Sequence, residues 1–324
     1  MIVITGGAGF IGSVLAWRLN QKGVSDILIV DHLGASEKWK NLVPLSFSDY
    51  LDRGDFITRL ERGDFGDSID VLFHLGACSS TTETDAAYLM ENNYRYSVRI
   101  GEWREKHRKT RLVYASSAAT YGNGEQGYAD DEGRLPTLRP LNMYGYSKHL
   151  FDLHAARRGW LKEIAGLKYF NVFGPNENHK GDMRSVINKA FPRMRDEGAI
   201  SLFRSYRPGC RHGEQKRDFV YVMDAVAMTL FFMERRDVNG IYNIGTGVAR
   251  SWNDVANAMF AALGKKPDIK YIPMPQSIRE KYQYFTQADL TKLRRAGCTV
   301  ECRPLEESVG EYVREYLSKD GLIS

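Results

Sequence analysis

The chain has 324 residues, of which 43% are hydrophobic and 26% charged, and a formal net charge of +5. These values are typical of a globular protein with one large or two ordinary domains. No apolar run approaches the roughly 18 residues that span a membrane, so we expect no membrane span. Like charges are not clustered, so a nucleic-acid arm has little support. A basic pocket for a phosphorylated small molecule is a better use of the positive excess.

The amino terminus and the cysteines together predict a cytoplasmic protein. The opening stretch MIVITGGAGF has neither the basic region nor the small-residue cleavage site of a signal peptide. The cysteines show no pair of CxxC spacings, and His179 and His212 have no companions at ligand spacing, so we expect reduced thiols and no metal site. The cysteines are Cys78, Cys210, Cys298 and Cys302.

Short apolar strands alternate with amphipathic helices over residues 1–175. Strands separated by helices in this rhythm predict a parallel, doubly wound sheet. The predicted strands are MIVIT, DILIVD, DVLFHLGA, RLVYASS and GLKYFNVFG, and the predicted helices include FIGSVLAWRLNQKG and DAAYLMENNYRYSVRIGEWREKH.

The pattern changes after Pro175. GPNENHKGDM predicts a loop, and an arginine-rich stretch of strand and loop follows the next helix. We expect a Rossmann-type α/β domain over 1–175 and a smaller C-terminal α/β substrate-binding domain over 176–324. A further strand and helix near 217–250, including GIYNIG, would return to the first sheet. The later predicted helices are SVINKAFPRMRDEG, MDAVAMTLFFMERR, WNDVANAMFAALG and LEESVGEYVREYLSKDG.

The stretch TGGAGFIG at 5–12 places glycines between a strand and a helix. Gly6 permits a tight turn, Gly9 lets a pyrophosphate approach the backbone, and Gly12 lets helix and strand pack closely. The helix start offers N–H groups and a partial positive charge to phosphates. With the acidic Asp31 at the end of the next strand, the motif predicts a dinucleotide site.

The charges after the second strand bear on which dinucleotide binds. Asp31 favours NAD, because a carboxylate accepts from the adenosine ribose hydroxyls. Lys38 and Arg53 follow in the next loop and helix, and two cations there would suit the 2′-phosphate of NADP. The alternative is that both are solvated surface charges.

Three polar residues predict an acid–base site. Ser117 ends a strand, where ligands bind in doubly wound sheets. Tyr144 and Lys148 are four residues apart on a helix and therefore share a face, whereas Tyr146 lies on another. An ammonium close to a phenol lowers the pKa of the phenol and makes it a usable base. Ser117 can then hold the substrate oxygen.

These motifs together resemble the extended short-chain dehydrogenase/reductase family, and the resemblance includes RDFVYVMDAV and GIYNIGTG. It implies that the C-terminal part binds a nucleoside-diphosphate sugar and that Arg217 contacts the diphosphate. The alternative for Arg217 is a salt bridge to Asp218 or another surface carboxylate.

Four further segments are similar to the epimerases of that family that act on ADP-heptose. The resemblance implies an isomerase that inverts C6 by transient oxidation with bound NADP and reduction from the opposite face, for lipopolysaccharide core synthesis. Tyr144 and Lys180 would act as acid/base groups on the two sides of the carbon; alternatively, Lys180 is a loop cation that pairs with phosphate. Members commonly form homopentamers. The segments are GACSSTTETD, ENNYRYS, YFNVFGPNENHKGDM and YQYFTQADL.

The resemblance also assigns residues to ligands. The catalytic set is Tyr144, Lys180, Ser117 and Lys148. The cofactor set is Gly6, Gly9, Phe10, Ile11, Gly12, Asp31, His32, Lys38, Arg53, Leu75, Gly76, Ala77, Cys78, Ser79, Asn92, Lys148, Val172 and Lys180. The substrate set is Asn171, Asp182, Lys189, Phe203, Arg204, Ser205, Tyr206, Arg217 and Tyr282.

Two alternatives remain open from the sequence. One is a different nucleotide-sugar enzyme, such as a UDP-hexose 4-epimerase or a dehydratase. A dehydratase typically carries an acidic pair after the strand-end hydroxyl, but AATYG follows Ser117 here. The other is a dinucleotide-binding or redox-sensing module without catalysis, and such proteins usually lose the tyrosine or lysine that this chain keeps.

Overall fold

The computed structural model describes residues 1–279 and 282–323. The strands are β1 Ile2–Thr5, β2 Ile27–Asp31, β3 Asp49–Asp52, β4 Val71–His74, β5 Arg111–Ser117, β6 Ala165–Tyr169, β7 Asn171–Phe173, β8 Ile200–Phe203, β9 Lys216–Tyr221, β10 Gly240–Ile244, β11 Ala249–Ser251 and β12 Ile269–Ile272. The α-helices are α1 Phe10–Gln21, α2 Arg53–Arg62, α3 Ala86–Leu89, α4 Tyr96–Lys106, α5 Met143–Arg157, α6 Val186–Glu197, α7 Val222–Glu234, α8 Trp252–Ala262, α9 Gln276–Arg279, α10 Thr291–Arg295 and α11 Leu305–Glu311. None of these helices is long and apolar enough to cross a bilayer.

Seven strands form one sheet in the order β10-β6-β5-β4-β1-β2-β3. Every pairing in it is parallel, which confirms the predicted doubly wound fold. Because β1 pairs with β2 on one side and β4 on the other, the strand order reverses at β1. Doubly wound sheets bind ligands beyond the carboxyl ends of the strands at such a reversal.

Both faces of the sheet are buried. Ile2 and Ile4 of β1 belong to the hydrophobic core on one face, together with α1 and α7 residues. Val3 belongs to the core on the other face, where Phe56 of α2 and Phe151 of α5 pack. Strands covered on both sides need apolar residues at successive positions, which is why their sequences are nearly continuous apolar runs.

The segment GLKYFNVFG, predicted as one strand, forms two strands in different sheets. β6 stays in the large sheet, whereas β7 joins a three-stranded sheet of order β11-β9-β7. The chain turns at Phe170, whose N–H donates to the carbonyl of Ile244 at 2.9 Å. A two-stranded sheet pairs β12 with β8. β10 lies at the edge of the large sheet beside β6; the division into two domains stays a prediction.

Two other segments differ from expectation. The single helix predicted after residue 84 is α3 and α4 joined by wider π-helical turns over Met90–Arg95. The predicted loop before α6 contains a 3₁₀ helix, Asn178–Met183, with a kink at Gly181, whose φ is 54°. Glycine tolerates this positive φ, and the kink sets the direction of the chain just after Lys180.

Candidate active site

A cavity of about 690 Å³ opens at the carboxyl ends of the central strands of the large sheet. Every residue of the predicted cofactor set lines it, and so do Tyr144, Lys180, Ser117, Lys148 and Asn171. Residues that are far apart in the sequence, from Gly6 to Lys180, therefore line one concave surface. This is expected at a topological switch point.

The glycine turn is packed too tightly for any side chain. Gly6 has a φ of +70°, and a Cβ there would lie 2.7 Å from the backbone nitrogen of Gly76. A Cβ at Gly12 would lie 2.1 Å from the carbonyl oxygen of Gly6. Helix α1 begins just after Gly9, so its unpaired N–H groups lie at the cavity. This arrangement fits the pyrophosphate of a dinucleotide.

A buried polar chain connects Thr5, which lines the cavity, to residues behind it, and sequence reasoning missed it. His74 lies at the end of β4 with its Nδ1 2.7 Å from the hydroxyl of Thr5 and its Nε2 2.8 Å from that of Ser97. Burial lowers the pKa of His74 to about 3, and the neighbouring positive charge of Lys148 adds to the effect. His74 is therefore neutral and joins β1, β4 and α4.

Acidic and basic groups meet at the end of β2. One oxygen of Asp31 accepts from the N–H of Ala8 at 3.0 Å, and the other accepts from the ammonium of Lys38 at 2.8 Å. Arg53 donates to the side-chain oxygen of Asn92. Lys38 thus neutralises the carboxylate that would otherwise repel a phosphate.

The side chain of His32 also meets a carboxylate nearby. Its Nδ1 lies 2.9 Å from Asp52, which caps the start of α2. The end of β2 therefore offers groups for a ribose hydroxyl and cations for a phosphate, and both chemistries are possible there.

Helix α5 carries the predicted acid–base pair. Asn142 caps it by accepting from the N–H of Gly145 at 2.8 Å, which places Tyr144 in the first turn. The ammonium of Lys148 donates to the carbonyl oxygen of Ala115 in β5 at 2.8 Å. Lys148 faces the sheet and the cavity, whereas Tyr146 is 44% exposed. The two tyrosines therefore lie on different faces, as the spacing predicts.

Burial sets the protonation of this pair. It raises the pKa of the Tyr144 phenol, and a hydrogen bond with Ser117 opposes that rise. It also lowers the pKa of Lys148 to about 8, and the negative charge of Asp152 opposes that fall. The predicted lowering of the Tyr144 pKa by Lys148 is therefore not found in the protein alone, because burial dominates and raises this pKa. The hydrogen bond with Ser117 is the contact that favours the phenolate.

Lys180 reaches the same cavity from the 3₁₀ helix before α6. Its ammonium lies 5.3 Å from the centre of the Phe10 ring, at the start of α1. Burial lowers the pKa of Lys180, and the nearby carboxylate of Glu177 opposes the shift. The amine is therefore held against the protein and directed to the cavity, where it can exchange a proton.

Most residues of the predicted substrate set lie outside the cavity wall. Arg217 is 6% exposed, and its guanidinium lies 5.1 Å from the ring of Tyr282 and 6.0 Å from that of Trp252. Trp252 itself lines the cavity and donates to the Tyr282 hydroxyl at 2.9 Å. Arg217 and Tyr282 therefore stand directly behind the wall.

Arg217 does not form the salt bridge with Asp218 that the sequence left open as an alternative. That carboxylate instead accepts from Thr246, Gly247 and Ala288, while Arg217 donates to the carbonyl oxygen of Lys216. Burial lowers the pKa of Arg217. A guanidinium buried away from the adjacent carboxylate suits an incoming anion.

The remaining predicted substrate residues occupy two neighbouring segments. The ammonium of Lys189 donates to the carbonyl oxygen of Asp182 at 3.0 Å. Phe203 ends β8, Arg204 donates to the carbonyl of Tyr271, and Ser205 and Tyr206 follow. The guanidinium of Arg279 lies 3.9 Å from the centre of the Tyr206 ring. Their roles in substrate binding stay predictions.

Sequence reasoning also missed several cavity residues. Trp252, Tyr88 and Arg184 line the cavity from three distant segments. No motif marks them. Only the antiparallel pairing of β11 with β9, which brings the start of α8 beside Arg217, would have placed Trp252 there.

Residues 2–245 match the NAD dependent epimerase/dehydratase family. The ADP-L-glycero-D-manno-heptose-6-epimerase of Nitratidesulfovibrio vulgaris strain DP4 is 52% identical over 98% of both chains. The crystal structure of the Helicobacter pylori ADP-L-glycero-D-manno-heptose-6-epimerase superposes with a TM-score of 0.81 at 28% identity, over 97% of this chain and 95% of that one. A Thermus thermophilus UDP-glucose 4-epimerase in complex with NAD has a TM-score of 0.78 at 25% identity, over 98% and 99%.

Proposed function

The chain belongs to the NAD dependent epimerase/dehydratase family, and we propose that it is an isomerase that interconverts ADP-D-glycero-D-manno-heptose and ADP-L-glycero-D-manno-heptose by inverting C6. The observation that carries this proposal is that Tyr144 and Lys180, on separate elements, both line the cavity that contains the glycine turn. The full-length relative that is 52% identical and bears that name supports the choice of substrate.

Tyr144, Lys148 and Ser117 form the first acid–base group. The phenolate of Tyr144 takes the proton from the C6 hydroxyl, the ammonium of Lys148 stabilises the phenolate, and Ser117 donates to the C6 oxygen. A bound nicotinamide supplies the hydride acceptor and donor. No metal is required, because the charge remains on a hydrogen-bonded oxygen.

Lys180 is the second acid–base group. Inversion requires hydrogen to return to the opposite face of C6, so a single fixed base would serve only if the substrate turned over completely. The C6 carbonyl lies outside the sugar ring and can rotate about one single bond. After that rotation Lys180 protonates the oxygen while the other face is reduced, and Tyr144 then loses its extra proton to solvent while Lys180 regains one from solvent. The small movement explains how one cavity can hold the substrate throughout.

Turnover of substrate distinguishes this proposal from its main alternative. Purified protein should convert ADP-heptose to a mixture of the two C6 epimers and should leave UDP-galactose unchanged. The separation of the epimers by anion-exchange chromatography measures both reactions. Turnover of UDP-galactose alone would instead support a UDP-hexose 4-epimerase.

We further infer that the cofactor is NADP. Lys38 and Arg53 line the cavity beside Asp31, and the ion pair of Lys38 with Asp31 removes the repulsion between this carboxylate and a 2′-phosphate. Mass spectrometry of the nucleotide released on denaturation should identify NADP. Lys38→Met should lower the preference for NADP over NAD by about 10- to 100-fold, because a charge-assisted hydrogen bond is lost.

The matched control for Lys38 is Lys40→Met. Lys40 is two residues away and pairs with Glu37 on the surface. This variant should keep the NADP preference. Equal binding of NAD and NADP by the unaltered protein would contradict the assignment.

We also propose a homopentamer that works in the cytoplasm in lipopolysaccharide core synthesis. The family resemblance supports this proposal. Sedimentation equilibrium of the purified protein should give five times the 36.9 kDa mass of one chain, and a monomer would contradict it.

A further inference from the structure

A buried ion pair lies behind the helix that carries Tyr144. Asp152 is on α5, one turn after Lys148, and Lys168 is in β6. Their side chains are 0% and 1% exposed, and their charged atoms are 3.2 Å apart. Taking two charges out of water is costly, and well-packed apolar replacements are often equally stable. Stability alone therefore does not account for this pair.

Asp152 is bonded to the strand that ends in the active site. Its two oxygens accept from the hydroxyls of Tyr114 at 2.9 Å and Ser116 at 2.7 Å, both in β5. The ammonium of Lys148, on the same helix, donates to the carbonyl of Ala115 between them. Three consecutive residues of β5 are thus bonded to one face of α5.

Lys168 extends these bonds to the end of the strand. Its ammonium donates to the hydroxyl of Thr120, which donates to the carbonyl oxygen of Ser117 at 2.8 Å. The ammonium of Lys168 also lies 4.6 Å from the centre of the Tyr121 ring. The backbone of Ser117 is therefore held by the same ion pair that holds α5.

We propose that Asp152 and Lys168 are positioning residues: they fix the helix that carries Tyr144 relative to the strand end that carries Ser117, and Asp152 supplies a negative charge to Lys148. This inference rests on the proposed function, because it assigns a task to the Tyr144–Lys148 pair. Neither residue touches the cavity, so neither is a catalytic group.

The charges around Lys148 make the proposal measurable. Burial lowers the pKa of Lys148, and Asp152 opposes the shift. Lys148 supports catalysis only as an ammonium, so activity is lost as the pH rises through its pKa. The other titratable groups near the pair or Lys148 are His74 from β4, Tyr114 from β5, Tyr121 from the segment after β5, Asp130 from the loop before α5, and Tyr144 and His149 on α5.

In a plot of kcat against pH, the alkaline limb is the fall in kcat as Lys148 loses its proton. Two variants should move this limb along the pH axis in opposite directions. Asp152→Asn keeps an acceptor for Tyr114 but removes the negative charge, so the limb should move down by about one pH unit and kcat should fall about 10-fold or more. Lys168→Met leaves Asp152 charged without its partner, so the limb should move up. KM and cofactor content should change little in both.

A double variant and a remote control keep the test decisive if either single variant unfolds. The double variant Asp152→Asn, Lys168→Met leaves no unpaired charge in the interior, so it should fold. Because the charge of Asp152 is gone, its alkaline limb should still lie at a lower pH than that of the unaltered protein. Glu163→Gln breaks the pair of Glu163 with the mostly buried Arg104 and should lower the melting temperature without moving the limb. Melting-temperature changes with an unaltered pH profile and kcat in all pair variants would overturn the proposal.

A substrate-free readout separates this inference from the proposed function. Competitive acetylation of the holoenzyme at several pH values, followed by peptide mass spectrometry, measures the fraction of uncharged Lys148 amine. Asp152→Asn should raise that fraction at pH 7 and Lys168→Met should lower it. An unchanged fraction overturns the inference even if the protein turns over ADP-heptose, whereas inactivity toward ADP-heptose with the expected fractions rejects only the proposed substrate.

Discussion

Tyr144 and Tyr146 are two residues apart on α5 but meet different surroundings. Tyr144 lines the cavity beside Ser117, whereas Tyr146 is 44% exposed. Tyr144→Phe should lower kcat by about 10²–10⁴-fold, because a general base is lost, while the content of bound nucleotide stays the same. The matched control Tyr146→Phe should keep full activity. Wild-type kcat in Tyr144→Phe would reject its role.

Lys180 provides the second prediction at this scale. Lys180→Met keeps most of the apolar stem that lies near the Phe10 ring but removes the proton carrier, so kcat should fall by about 10²–10⁴-fold. Lys319→Met, in which an exposed lysine is replaced, is the control. The double variant with Tyr144→Phe should lose more than either single variant, although the losses need not add. Activity of Lys180→Met equal to that of Lys319→Met would leave Tyr144 as the only base.

The residues that line the cavity around the glycine turn could be predicted from sequence, whereas Trp252, in the wall beside Arg217, could not. The turn at Gly6 and Gly12 follows from local backbone geometry, and the shared face of Tyr144 and Lys148 follows from helical spacing. Trp252, which separates Arg217 from the cavity, is placed by pairing between distant strands, and a single sequence gives no sign of that pairing.

At the scale of elements, the start of α1 depends on its close approach to the turn before it. Gly12→Ala would place a Cβ 2.1 Å from the Gly6 oxygen, so the helix must shift. We expect a loss of about 1–3 kcal/mol in the free energy of unfolding together with weaker nucleotide binding. Thermal melts with and without added nucleotide measure both.

Gly54→Ala is the matched control for Gly12. Gly54 is in the first turn of α2, where the nearest atom to an added Cβ is 3.4 Å away, at the side chain of Asp52. Alanine also has the higher helix propensity. This variant should be as stable as the unaltered chain, and a loss equal to that of Gly12→Ala would contradict the steric argument.

Element types were predictable where periodicity was strong, and element boundaries were not. The single strand predicted for GLKYFNVFG is β6 and β7 because the chain changes sheets at Phe170, although the apolar pattern continues through it. The 3₁₀ helix over Asn178–Met183 was predicted as a loop because its residues are polar and contain glycine. Tertiary pairing, which has no local pattern, decided the first case.

For the molecule as a whole, the alternation of strands and helices was enough to predict the parallel sheet and the location of its ligand site. The reversal of strand order at β1 brings the glycine turn, Ser117 and Tyr144 to one cavity. Lys180 completes the site from a segment beyond β7. The proposed two-sided inversion requires all of these parts in one chain.

The most direct test of this proposal uses ADP-heptose with deuterium at C6 and protein purified with its own nucleotide. We predict inversion at C6 with the deuterium retained at that carbon, because the hydrogen is held within the site and returned to the opposite face. Mass spectrometry and NMR of the separated epimers measure this. Inversion with replacement of the deuterium by solvent hydrogen would contradict the account.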